Sequence, residues 1–252
     1  MDWLKSHSWI NGVIFPAPNN TPLSASISEY HYDSKHQVEY LYFPASGKTT
    51  LLYFHGNGED LASIYPELRS SAREFSQLGI SVLAVEYPGY GKERTTGGDC
   101  CEFRMTKQYH KRINTVLDAL ELSTSSLLLV GYSIGSGPAC YIAAHDRRVA
   151  HLVLLAPFTS IKDVAAHHYT NAVRALMMNR LDNRKQIVKC KCKLSIIHGT
   201  KDQVIPHKQS LTLANLHPNP DLVTVYLAEG KSHALSLDLV HQYVIKPAPP
   251  DG

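Results

Sequence analysis

The chain has 252 residues, 44% of them hydrophobic, with 25 basic and 22 acidic side chains and a formal charge of +3. That length supports one sizeable core and is short for two independent domains, so a single domain is expected over 1–252, with its core at about 25–245. The near-balanced charge, with no basic segment interleaved with stacking aromatics, argues against nucleic acid as a partner.

The first residues, MDWLKSHSWINGVIF, lack the uninterrupted apolar core and small-residue cleavage site of a secretory signal. No stretch reaches the roughly 20 apolar residues of a membrane span. Cysteines stand at Cys100, Cys101, Cys140, Cys190 and Cys192, an odd set without the spacing of a disulfide framework. A reducing compartment is therefore expected, and a cytoplasmic protein with at most peripheral contact at a membrane surface. The KCKCK stretch has no Cys/His pair nearby at zinc-finger spacing and reads as a basic run entering a strand, so neither a metal nor another cofactor is expected.

Prolines in PAPNNTP near the start and IKPAPPDG at the finish resist regular structure; the latter reads as a tail over 246–252. SISEYHYD and QVEYLYFP then alternate apolar with polar side chains, as half-exposed antiparallel strands do. After them come TTLLYFH, ISVLAVEY, SSLLLVGY, VAHLVLLAP, KLSIIHG and LVTVYLAEG, several of them hydrophobic almost throughout. Continuous hydrophobicity means burial on both faces. The expected fold is therefore α/β: a mostly parallel central sheet with antiparallel N-terminal strands and helices on both faces, with its chemistry at the carboxyl ends of the strands.

One of those strand ends stands out. LLLVGY predicts a buried strand, Ser133 follows it, and GSGPACYIAAH predicts a helix rich in small residues, with Gly131 and Gly135 two positions either side of the serine. Such a strand-to-helix turn crowds backbone against backbone and exposes the hydroxyl in strained geometry. Ser133 is the candidate nucleophile. A hydroxyl is a poor nucleophile at neutral pH, so it needs a base, and the base needs a group that fixes its tautomer. Asp202 lies in the loop after KLSIIHG, and His233 follows LVTVYLAEG, immediately before an apolar-periodic segment. Of the other downstream histidines, His198 ends its own strand, His207 and His217 flank a helix, and His241 lies inside the final helical pattern. Asp163, after the preceding strand, is the rival to Asp202.

A tetrahedral oxyanion also needs two donors, one from the residue after the nucleophile and one from the loop after an earlier strand. The Ile134 backbone N–H is the first candidate. The Asn57 N–H, in the glycine-flanked turn HGNGED, is the second, with His55 and Gly56 shaping the loop. Phosphate cradling by HGNG is disfavoured, since neither G-x-G-x-x-G nor a P-loop Lys-Ser/Thr follows.

The motifs YFHGNGED, VEYPGYGKE, VGYSIGSGPA, LLAPFTSI and IIHGTKDQVIP, in that order, resemble the α/β-hydrolase superfamily. Within it the chain is similar to the small, weakly lidded serine hydrolases related to acyl-protein thioesterases (depalmitoylases) and Bem46-type proteins. The resemblance implies an α/β-hydrolase fold with a small lid or none, a Ser133 nucleophile with Asp202 and His233 as partners, and oxyanion donors at Asn57 and Ile134. It implies a hydrolase acting through an acyl-enzyme on an ester or thioester: an esterase, lipase-like enzyme or acyl-protein thioesterase, with a small acyl substrate, a lipid or an acylated protein as partner. A peptidase-like hydrolase and a non-catalytic binding protein of the same fold are the alternatives.

Substrate choice in this fold depends largely on the segment after the strand that follows the elbow, here Phe158 to Lys193, with a small cap at about 158–190. Ile161, Val164, Ala165, Tyr169, Ala172, Val173, Leu176 and Met177 recur there at helical spacing, while the same stretch holds eight Lys or Arg and two acidic residues. The stripe reads either as a core-facing helix with a solvated basic back or as the border of an acyl pocket that includes Leu176, with the basic side toward an anionic surface. Tyr87 and Tyr90, in the loop PGYGKERTTGGDC and just before it, are the candidates for lining the entrance.

Overall fold

A computed structural model describes residues 12, 14–18, 23–95, 100–168 and 180–246. The chain divides into two compact units, Met1–Ser126 and Leu127–Gly252.

The first unit is built on strands β1 (Tyr30–Asp33), β2 (Val38–Phe43), β3 (Thr49–Phe54) and β4 (Ile80–Val85), ordered β1-β2-β4-β3. β1 and β2 form an antiparallel hairpin, β2 runs antiparallel to β4, and β3 lies parallel to β4. The hairpin turn is held by Asp33, whose Oδ1 accepts the Lys35 and His36 N–H groups at 2.9 and 3.1 Å. Helix α1 (Leu61–Gln77) makes the crossover that two parallel strands require. It starts at Asp60, which accepts the Ser63 N–H at 2.9 Å while the Ser63 hydroxyl lies 2.9 Å from the Asp60 N–H, a reciprocal cap. Its Leu61, Ile64, Leu68, Ala72 and Phe75 recur every three or four residues and are buried. Helix α2 (Tyr109–Ala119) packs with Ile113, Val116 and Leu117 inward. β3 and β4 are apolar along most of their length because Leu51 to Phe54 and Val82 to Val85 are buried without alternation, which requires cover on both faces.

The second unit contains β5 (Ser126–Tyr132), β6 (Val149–Leu155), β7 (Lys193–Gly199) and β8 (Val223–Ala228), every pair parallel and in that order. Helices α3 (Ser136–His145), α4 (Ile161–His168), α5 (Asn183–Ile187) and α6 (Lys208–Leu216) lie along the connections. β8, at the end of the order, buries only Ala228, as an edge strand does. Because all four strands run the same way, Tyr132, Leu155 and Ile197 stand side by side in the ladder, and Gly199 pairs with Ala228. The chain therefore leaves β5, β7 and β8 at one common edge, and Ser133, Asp202 and His233 are found there. Of the apolar stripe after β6, Ile161 and Ala165 are buried in α4, and Leu176 lies outside the described residues.

Candidate active site

The elbow is built as its composition requires. Ser133 has φ 51°, a left-handed conformation costly for a side chain with a Cβ, and it opens a 3-10 turn, Ser133–Gly135, that runs into α3. Gly131 makes the turn possible: a Cβ there would stand 2.8 Å from the Gly135 carbonyl oxygen and 2.9 Å from the Ala139 Cβ. Ile134, second in that turn, is at a helix start, where backbone N–H groups have no partner within the helix.

Two further loops meet Ser133. His233 Nε2 lies 3.0 Å from Ser133 Oγ, and His233 Nδ1 lies 2.7 Å from Asp202 Oδ2. Nδ1 faces a carboxylate and so carries the proton, which leaves Nε2 free to accept one from the serine hydroxyl. Asp202 is held from its other side: Oδ1 accepts the N–H groups of Val204 and Ile205 at 2.8 and 2.9 Å. Burial by itself would raise the carboxyl's pKa. The hydrogen bonds from His198, His233 and the Ile205 N–H outweigh it and hold Asp202 well below the usual carboxylate range. The arrangement is a buried anion, an oriented imidazole and a hydroxyl in line, which can move a proton off the hydroxyl as that oxygen attacks an electrophile.

The His233 loop is fixed by backbone contacts. Lys201 N–H donates to the Lys231 carbonyl at 2.9 Å, and the Tyr132 hydroxyl donates to the His233 carbonyl at 3.3 Å. Gly199 ends β7 so close beneath this loop that a Cβ would lie 2.3 Å from the Ser232 carbonyl oxygen and 2.4 Å from that of Lys231. Asp163, the rival acid, is engaged elsewhere: its Oδ2 accepts the hydroxyls of Thr159 and Ser160, both at 2.7 Å, and pairs with Arg184 at 3.3 Å.

In the first unit, Asn57 is exposed in the turn after β3. The loop that carries it is clamped by a buried pair, His55 Nε2 to Glu86 Oε1 at 3.1 Å, and by the Glu59 carboxylate on the Gly56 N–H at 2.6 Å. Burial alone would lower the His55 pKa, but the Glu86 carboxylate prevails and raises it. Tyr87 and Tyr90, expected at an entrance, are instead 0% and 1% exposed. The Tyr87 hydroxyl donates to the His55 carbonyl at 2.7 Å and its ring lies 3.9 Å from the His55 ring, so it braces the loop from inside.

Three residues escaped sequence reasoning in these roles: Glu86, Tyr132 and His198. His198 was visible as a histidine ending a buried strand, a polar group that must find partners there. One of those partners is Asp202, at 3.1 Å.

Residues 49–180 match the family described as alpha/beta hydrolase fold, and the chain belongs to that family. Among curated relatives, alpha/beta hydrolase domain-containing protein 17B of Xenopus laevis is 29% identical over 206 residues, covering 79% of this chain and 65% of the relative. The Homo sapiens protein of that name is 27% identical over 202 residues with the same coverage. The chain thus spans just under two thirds of the length of these relatives. Among solved structures, an esterase of Pyrococcus furiosus superposes with a TM-score of 0.65 at 12% identity, covering 88% of this chain and 93% of that one. The esterase of Exiguobacterium antarcticum gives 0.60 at 17% identity, covering 84% and 95%. At such identities the likeness is one of fold. Among the described residues, no helix is long and apolar enough to cross a membrane.

Proposed function

We propose that this protein is a serine hydrolase that cleaves an ester or thioester through an acyl-enzyme intermediate. The observation that carries the reading is the continuous chain from Ser133 through His233 to Asp202, at 3.0 and 2.7 Å. In this reading Ser133 Oγ attacks the substrate carbonyl carbon while His233 Nε2 takes the hydroxyl proton. Asp202 keeps Nδ1–H in place and stabilises the imidazolium. The carbonyl oxygen becomes an oxyanion, for which the N–H groups of Ile134 and Asn57 are the proposed donors. Collapse breaks the bond to the leaving oxygen or sulfur, which takes the proton from His233 as the acyl group stays on Ser133. Water, deprotonated by the same nitrogen, then attacks the acyl-enzyme and releases the acid.

The resemblance to acyl-protein thioesterases favours an acyl substrate: a small ester or thioester, a lipid or an acylated protein; the relatives named as alpha/beta hydrolase domain-containing proteins support hydrolysis in general. The proposed setting is the cytoplasm or the surface of a membrane. The test is Ser133→Ala with a fluorophosphonate probe and a p-nitrophenyl ester. Labelling and turnover are expected to vanish, kcat falling by several orders of magnitude, with the unfolding midpoint maintained. Labelling that persists in the variant would remove Ser133 from the chemistry.

A further inference from the structure

Asp202 Oδ2 has two imidazoles on it. His233 Nδ1 lies 2.7 Å away and His198 Nε2 3.1 Å away, the latter on a ring that is 0% exposed. The protonation of His198 follows from its neighbours. Its Nε2 faces two acceptors, Asp202 Oδ2 and the Ile205 carbonyl at 2.9 Å, so it must carry a hydrogen. Its Nδ1 then accepts from the Ser210 hydroxyl at 2.6 Å. Ser210 is on α6 and His198 within β7, both buried. Asp202 instead sits in a loop, and its Oδ1 is already occupied by two backbone N–H groups.

Extending the proposed reaction, on which this inference rests, we infer that His198 is a positioning residue: it ties the Asp202 carboxylate to the β7–α6 framework and takes a share of the oxygen that orients His233. The consequence is electrostatic as well as geometric. A carboxylate oxygen that serves two N–H donors gives each less of its charge, so His198 tempers how strongly Asp202 favours the protonated form of His233. Loss of the His198 donor returns that charge to His233 and releases the carboxylate's orientation. The groups facing the two rings are Asp202 from the loop after β7, Ser210 from α6, and Ser133 and Tyr132 from the end of β5. Lys201 and Lys231 stand exposed in the two loops that cross there.

The experiment compares wild type with His198→Gln, His198→Asn and His198→Leu. Gln places its amide nitrogen where Nε2 stands and keeps the donor; Asn is too short to reach, and Leu has none. The readouts are the pH profile of kcat/KM on a p-nitrophenyl ester and the NMR titration midpoint of the His233 ring. Asn and Leu are expected to lower the plateau by about ten- to a hundredfold and to move the acid limb and the midpoint upward by about half a pH unit or more. Gln is expected to hold both near wild type. A uniform loss of rate with the midpoint in place would make His198 merely structural and overturn the inference. If the Leu variant does not fold, the Gln and Asn pair decides, and equal midpoints overturn it. The wild-type protein supplies a test without substitution: 15N shifts that put the His198 proton on Nδ1 and leave Nε2 bare would also overturn it. Neither NMR readout needs turnover, so a wild type that neither hydrolyses esters nor reacts with the probe sinks the proposed function while His198 is still judged separately.

Discussion

Gly199→Ala is the sharpest perturbation of the site that avoids all of its chemical groups. The new methyl would stand 2.3 Å from the Ser232 carbonyl oxygen and 2.4 Å from that of Lys231, where an ordinary contact is about 3.4 Å. No rotamer relieves the clash, since a Cβ is fixed by the backbone, and both obstacles are backbone atoms. The Lys231–Ser232 segment must retreat by roughly 1 Å, and the next residue is His233. Carried through to the ring, that displacement stretches the 3.0 Å contact with Ser133 to about 4 Å, beyond any hydrogen bond. Misplacement of that size costs on the order of 10²-fold in rate. Overpacking costs about 1–3 kcal/mol of stability, and at about 2–4 °C per kcal/mol for a chain of this size the melting temperature should fall by a few degrees to about ten. Ester hydrolysis and probe labelling, measured well below the variant's melting temperature, separate the two effects. Wild-type turnover in Gly199→Ala would show that this close approach does not position His233.

Other perturbations follow from the same geometry. Ser133→Gly removes the proposed nucleophile and the left-handed strain at φ 51° together, so it should be inactive yet more stable than Ser133→Ala by about 1 kcal/mol; equal melting temperatures would mean the strain is relieved elsewhere. Asp202→Asn should cost far more activity than Asp163→Asn, which loses contacts to Thr159, Ser160 and Arg184 and none to His233; the reverse order in kcat/KM would move the acid. Because the Asp202 pKa is depressed on folding, its stabilisation is fully present above the unfolded value of about 4 and is lost as pH falls toward the folded one. Acid unfolding curves of Asp202→Asn should therefore be flatter below about pH 4 than those of wild type, and superimposable curves would contradict the shift.

Local signals were legible and remote ones were not. Six apolar runs correspond to β3 through β8, the tail end of SISEYHYD to β1 and nearly all of QVEYLYFP to β2, because strand burial is written in each segment's own residues. The turn at Ser133 was readable for the same reason: strand, serine and small-residue helix are contiguous. Asp202 and His233 were reached through position after a strand, and their mutual distance comes from the parallel ladder. Tyr87 shows where this reasoning ends. An aromatic residue at a strand end can turn toward solvent or inward, and what turns it inward is the His55 carbonyl, 32 positions earlier. The Glu86 partner of His55 is separated by 31 positions, and nothing in either neighbourhood announces the pair. The final helical pattern corresponds to a brief turn over Asp238–Val240 that continues as a π-helical turn over His241–Ile245, so His241 lies within it as its position suggested.

The serine and histidine that meet at 3.0 Å are 100 positions apart in the chain, and four strands must pair in register before they can approach. Long-range parallel pairing is slow to form, because loop-closure entropy is lost before the contacts that repay it exist. The site is therefore expected to form late in folding, after β7 and β8 have docked. Under the proposed reaction, a nascent or partly unfolded chain carries Ser133 without His233 beside it, and reactivity toward acyl groups is expected only of molecules that have completed this half of the fold. A fluorophosphonate added at intervals during refolding would count those molecules directly, making the covalent label a clock for the last step of assembly.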